Sequence, residues 1–128
     1  FVTNCDIIIN SNYSDIYNFH KNNKNDMTLV ASAKDFEIPY GICKLDKKGQ
    51  LLNIIEKPKQ NFLANTGLYV LNSRVLNLIP KNKFFHMTDL IKVVRKKKMQ
   101  IGIYPIEDSN WLDVGQWSEY TKTSKIFS

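Results

Sequence analysis

The sequence predicts an α/β fold of three layers, α/β/α, around a mixed, Rossmann-like sheet. Three observations carry this expectation. Short apolar segments alternate with segments of helical spacing, the pattern of layered α/β architecture rather than of a sandwich or a bundle. Residues 27–33 are almost continuously apolar, as a strand covered on both faces would be. A chain of 128 residues, 43% hydrophobic and 23% charged, fits one soluble domain over residues 1–128 with a single core.

Taken in order, residues 1–5 read as the end of a strand. Ser14 then offers an N-cap to a helix whose Tyr13, Ile16, Tyr17 and His20 recur at three and four residues, and residues 22–25 break it. Residues 40–45 and 51–56 form a predicted hairpin, because Gly49 in the connecting loop can take the positive φ such a loop demands. Residues 65–71 are rich in β-formers. Ser73 is placed to cap a short helix that Pro80 ends, and Thr88 to cap the next, with Met87, Leu90, Ile91 and Val94 on one face. Residues 101–104 and 111–112 read as strands, and Trp117, Tyr120 and Thr121 as the start of a closing helix.

No apolar run approaches the length of a membrane span, so no membrane partner is expected. Phe1 opens the chain inside an apolar segment, with neither an initiator methionine nor a signal-peptide layout, so the chain reads as cut from something longer. Cys5 and Cys43 make no zinc spacing. Each lies in an apolar run where a reduced, buried thiol is expected, which points to a reducing, cytoplasmic setting. The formal charge of +6 suits an anionic partner of any class. Arg95-Lys96-Lys97-Lys98 sits in the last turn of a predicted helix, where cations offset the helix dipole. No stacking aromatics interleave with it, so nucleic acid is not the expected partner.

Asp6 follows one strand and Asp113 another, at the ends where ligands bind in open α/β sheets. Two hard oxygen donors there suit Mg²⁺; the plainer alternative is a pair of turn aspartates. In Glu56-Lys57-Pro58 the proline pushes Lys57 toward extended backbone, aiming Glu56 and Lys57 to opposite faces. Lys57 could meet a phosphate and Glu56 sugar hydroxyls, or the two could be a solvated surface pair. Asn65-Thr66-Gly67 and Tyr40-Gly41 combine polar groups with a residue lacking a side chain, which suits close approach to a ligand as well as ordinary strand starts. His20 and His86 have no carboxylate or cysteine at metal spacing and read as structural.

The order of these motifs resembles the sugar-1-phosphate nucleotidyltransferases over essentially the whole chain. The resemblance is carried by Val2-Thr3-Asn4-Cys5-Asp6, Tyr40-Gly41-Ile42 with the hairpin to Glu56-Lys57-Pro58, Asn65-Thr66-Gly67-Leu68-Tyr69-Val70, Met87-Thr88-Asp89-Leu90-Ile91 and Trp111-Leu112-Asp113-Val114-Gly115. It implies the C-terminal, sugar-phosphate-binding half of that fold. It also implies Mg²⁺ on Asp6 and Asp113, the sugar 1-phosphate on Lys57, sugar hydroxyls on Glu56, and a pocket lined by Tyr40, Gly41, Asn65, Thr66, Gly67 and Trp111. The implied reaction joins a sugar 1-phosphate to a nucleoside triphosphate, GTP by resemblance to the mannose-1-phosphate and legionaminic-acid guanylyltransferases, in the making of cell-surface polysaccharide. Cys5 stands where that family usually has glycine, and the family's glycine-rich nucleotide loop would lie upstream of Phe1. A non-catalytic sugar-phosphate-binding or regulatory module is the alternative. A sheet lacking its other half would expose an edge, so a homo-oligomer or a covering chain is expected.

Overall fold

The computed structural model describes residues 1–115. The closing helix expected from Trp117, Tyr120 and Thr121 lies outside those residues. In chain order the elements are strand β1 (Val2–Thr3), β2 (Ile7–Ile9), helix α1 (Tyr13–Asn22), β3 (Met27–Glu37), β4 (Ile42–Leu45), β5 (Leu51–Ile55) and β6 (Lys59–Leu71). Helices α2 (Ser73–Leu76) and α3 (Met87–Lys96) follow, then β7 (Ile101–Ile106) and, after a 3₁₀ turn at Asp108–Asn110, β8 (Trp111–Asp113).

The main sheet has the order β1-β6-β3-β7 and is mixed: β6 runs antiparallel to both β1 and β3, whereas β7 is parallel to β3. Alternation along these strands sorts their side chains onto two faces. Val30, Leu68, Val70 and Ile106 gather with Ile16 of α1 on one face. Met27 and Tyr69 gather with Val75 of α2 and Leu90 and Val94 of α3 on the other. Each such aliphatic side chain contributes about 1.5–3 kcal/mol of burial. The three-layer expectation is therefore met, with α1 on one side and α2 and α3 on the other.

Helices α1 and α3 end alike. Lys24 and Lys98 take left-handed φ of 52° and 56°. The amide of Asn25 then bonds the carbonyl of His20 at 3.0 Å, and that of Met99 bonds Val94 at 3.2 Å. Each turn feeds one of the parallel neighbours β3 and β7. The carboxylate of Asp26, almost fully buried, joins them by accepting the Gln100 amide at 2.8 Å and pairing with Arg74.

Several expectations are corrected in detail. The N-caps of α1 and α2 are Asn12 and Asn72, whose side chains accept the amides of Ser14 and Arg74, so Ser14 and Ser73 lie inside their helices. The α3 cap is His86, which makes no side-chain capping bond, and Thr88 is the second helical residue. Strands β3 and β6 run beyond their apolar parts, because residues 34–37 pair with residues 59–62 as an exposed two-stranded ribbon. Strand β2 was not expected; it pairs only with β8. Cys5 lies in the turn after β1 and Cys43 on the hairpin, and both are exposed, so the buried-thiol reading fails: neither segment is covered by a second layer. Among the described residues no helix is long and apolar enough to cross a membrane.

Candidate active site

Asp6 and Asp113 are brought together by the small β2–β8 sheet. Ile7 pairs with Asp113 and Ile9 with Trp111, so the turn holding Asp6 meets the end of β8. The Val114 amide closes this corner on the Asp6 carbonyl at 2.9 Å. Gly115 marks the meeting point: a Cβ built there would stand 2.5 Å from Asp6 Oδ2 and 3.2 Å from Asp113 Oδ1. Only a residue without a side chain leaves both carboxylates in place. The Gly115 amide also donates to Asp113 Oδ1 at 2.9 Å, orienting that carboxylate.

Beside this corner, β6 bulges against β3. Pairing jumps from Leu29–Tyr69 to Ala31–Asn65, so residues 66–68 face Val30 alone. At the bulge Thr66 Oγ1 donates to the Val30 carbonyl at 2.8 Å. Thr66 is 2% exposed, and this bond is made inside the sheet. Gly67 has φ of +91° and lies against Asn4, whose amide nitrogen would be 2.6 Å from an added Cβ. The Asn4 backbone amide donates to the Gly67 carbonyl at 3.0 Å, tying the bulge to the turn that carries Asp6. Asn65 is exposed; its Nδ2 donates to the Tyr69 hydroxyl at 2.7 Å.

A second group lies at the outer end of the β3–β6 ribbon. Gly41 abuts Glu56, with an added Cβ falling 3.0 Å from Glu56 Oε2. Tyr40, Glu56 and Lys57 are exposed. The Ile38 amide bonds the Pro58 carbonyl at 3.1 Å, fixing this corner beyond the last ribbon pair, Glu37 with Lys59. Between Asn65 and Lys59 the strand covers roughly 20 Å at about 3.4 Å per residue. The described contacts thus make two groups, one around the carboxylates and the bulge, the other around Gly41 and Glu56. The extended conformation expected of Lys57 is not found: its φ is 41°, in the left-handed region. The chain must turn there to pass from the hairpin back into β6, and that turn overrides the proline's local preference. A lysine held in this region before a proline is strained backbone, of the kind that collects at functional sites.

Trp111 is half-buried against the first core cluster, and the Lys34 ammonium lies 4.9 Å from its ring centroid. Lys34 pairs with Asp108, whose Oδ1 also accepts the Ser32 hydroxyl at 3.2 Å. Asn4, Lys34 and Asp108 were not singled out from the sequence as site residues, since only the fold brings them to this corner. His20, whose pKa is lowered first by burial, lies on α1, outside both groups.

Residues 1–127 match the family described as nucleotidyl transferase. The chain is 30% identical over 125 residues to the mannose-1-phosphate guanylyltransferase catalytic subunit beta of Drosophila melanogaster. The match takes in 94% of this chain and 32% of that protein. It is 31% identical over 134 residues to mannose-1-phosphate guanyltransferase 2 of Candida glabrata, over 99% of this chain and 36% of the relative. The chain therefore spans about a third of the length of these relatives. Among solved structures, HddC from Yersinia pseudotuberculosis superposes with a TM-score of 0.66 at 19% identity, over 98% of this chain and 54% of the other. A crystal structure of the same protein complexed with GMP-PN gives 0.64 at 20% identity. The fold is shared with these structures, and by the match over residues 1–127 the chain belongs to the nucleotidyl transferase family.

Proposed function

We propose that the whole protein is a sugar-1-phosphate nucleotidyltransferase, transferring a guanylyl group from GTP to a sugar 1-phosphate with release of pyrophosphate. The carrying observation is the convergence of Asp6 and Asp113 on Gly115. Guanylyltransferase relatives support the choice of base. The two carboxylates fit Mg²⁺, which takes one or two protein carboxylates and completes its shell with water and phosphate oxygens. Among the described residues no group of three or more His, Cys, Asp or Glu side chains forms a cage, and a cation of this kind needs none. Bound on Asp6 and Asp113, Mg²⁺ would supply charge neutralisation on the triphosphate.

The chain's own residues do the rest. Lys57, exposed and without an ion-pair partner among the described residues, is offered to the phosphate of the sugar 1-phosphate. Glu56 would accept hydrogen bonds from sugar hydroxyls with Gly41 leaving room beside it, Asn65 would present an amide from the bulge, and the outer ribbon carrying Glu56 and Lys57 would have to bend in toward the carboxylates for the two groups to share one sugar phosphate. An oxygen of the sugar phosphate forms a bond to the α-phosphorus in line. The bond from that phosphorus to the bridging oxygen breaks, and its electron pair leaves on pyrophosphate. Such transfer rests on positioning and charge, so no acid–base residue is required. We place the reaction in the cytoplasm, in supply of nucleotide sugars for surface polysaccharide, and take the β1 edge to be covered by further chain or by a second copy.

The test is pyrophosphate release by the whole protein across a panel of nucleoside triphosphates and sugar 1-phosphates with Mg²⁺. GTP-dependent release, lost on the order of a hundredfold or more in Lys57→Ala and Asp113→Asn, is the expected result. A folded protein that releases pyrophosphate from no pair, yet binds a sugar 1-phosphate through Lys57, would instead be the binding module.

A further inference from the structure

Strand β8 carries Asp113 but is only three residues long, and among the described residues it pairs solely with the equally short β2. Two such strands do not hold themselves in place. Among the described residues, their hold on the main sheet comes from apolar packing of Ile7, Ile9 and Trp111 on the first core cluster, from the Asn4–Gly67 backbone bond, and from a polar clamp. In that clamp a single oxygen, Asp108 Oδ1, gathers the Ser32 hydroxyl at 3.2 Å and the Lys34 ammonium, both from β3. The ammonium also lies 4.9 Å from the Trp111 ring centroid. Asp108 opens the 3₁₀ turn that runs directly into β8. The clamp thus grips β8 from the turn before it and from the side chain of its first residue, two positions ahead of Asp113.

We infer that Lys34 is a positioning residue for the carboxylate pair: through Asp108 and the Trp111 ring it sets where β8 presents Asp113 to Asp6. The inference rests on the reading of Asp6 and Asp113 as metal ligands. The Lys34 and Asp108 side chains are 33% and 55% exposed, so the pair adds little to overall stability. Its effect is expected in geometry, where groups behind a ligand typically change metal affinity by about ten- to a hundredfold.

The test uses the whole protein and Mn²⁺ as probe, followed by water-proton relaxation, beside pyrophosphate release. Asp113→Asn reports on the site itself. Lys34→Met keeps an unbranched stem over the indole and removes the charge; Lys34→Arg keeps a cation able to stack and to pair. The expected result is Mn²⁺ affinity about tenfold weaker in Lys34→Met, with KM for the sugar 1-phosphate within about twofold of wild type and binding restored in Lys34→Arg. Asp108→Asn, with a thermal transition matching wild type, should reproduce the loss. Wild-type Mn²⁺ affinity in Lys34→Met would overturn the inference while leaving the carboxylate pair standing. A raised sugar-phosphate KM with unaltered Mn²⁺ affinity would also overturn it, by making Lys34 a substrate contact. Wild-type protein with no Asp113-dependent Mn²⁺ binding would remove the site reading and this inference together.

Discussion

Gly115→Ala separates the fold from the carboxylate geometry. Ordinary van der Waals contact begins near 3.4 Å, and the added Cβ would stand 2.5 Å from Asp6 Oδ2 and 3.1 Å from its Cγ. The flexible end of Asp6 must retreat by about 1 Å, while Asp113 Oδ1 at 3.2 Å gives only slightly. A misplacement of that size costs on the order of a hundredfold in rate, or about 2.7 kcal/mol of barrier. Stability should not fall. Gly115 is exposed and outside the left-handed region, where alanine narrows the unfolded ensemble and adds about 0.4–1 kcal/mol. The assay pairs pyrophosphate release and Mn²⁺ affinity with a thermal melt of the same protein. Release and Mn²⁺ binding at wild-type level in a folded Gly115→Ala protein would refute the view that the two carboxylates act together at this point.

Thr66→Val should lower stability by about 1–3 kcal/mol, because it removes the buried hydroxyl that donates to the Val30 carbonyl at the bulge; Thr66→Ser should restore most of the loss in urea unfolding. His20 titrates below its usual 6.5 because burial disfavours its charged form, against the opposing pull of Asp26. The folded protein then binds fewer protons than the unfolded chain as pH falls below 6.5. Stability is therefore fully present above that pH and is lost as pH falls toward the lowered value. Urea midpoints between pH 5 and 8 should show this slope, and His20→Gln should flatten it.

What the sequence disclosed depended on whether the cause was local. The β4–β5 hairpin was legible because its loop is self-contained: Gly49 takes φ of +82°, and Asp46 Oδ1 accepts the Lys48 and Gln50 amides at 2.8 Å each. The apolar part of β3 was legible from burial on both faces, but its extension to Glu37 was not, since exposed residues there are held by pairing with residues 59–62. Asp6 and Asp113 were singled out by their places at strand ends, and the structure brings the two together. What joins them is Ile7–Ile9, three successive isoleucines that could be assigned no partner before β8 was placed. Thr66 was named for its polarity, yet its role follows from a bulge whose register no local pattern encodes. Lys57 shows the reverse case, a sound local rule overruled by the corner the chain must turn.

The placement of the carboxylates at a seam has a physical consequence. The face packed by α2 and α3 carries its own cluster, centred on Met27, Tyr69 and Leu90, to which β2 and β8 supply no member. The cluster around Ile16 and Leu68 serves two ends, since it closes the sheet under α1 and also seats Ile7, Ile9 and Trp111. Among the described residues, the carboxylate corner is thus seated on the cluster of one face of the sheet. Among the described residues its remaining constraints are three register pairs, the Asp6–Val114, Asn10–Asn110 and Asn4–Gly67 backbone bonds and the Lys34–Asp108 clamp. A corner built this way can open locally at far less free energy than global unfolding, because it requires no disruption of the second cluster. That suits the proposed site, which would admit and release two phosphorylated substrates, and it gives side chains with little weight in overall stability, such as Lys34 and Asp108, a route by which to weigh on the geometry of Asp113.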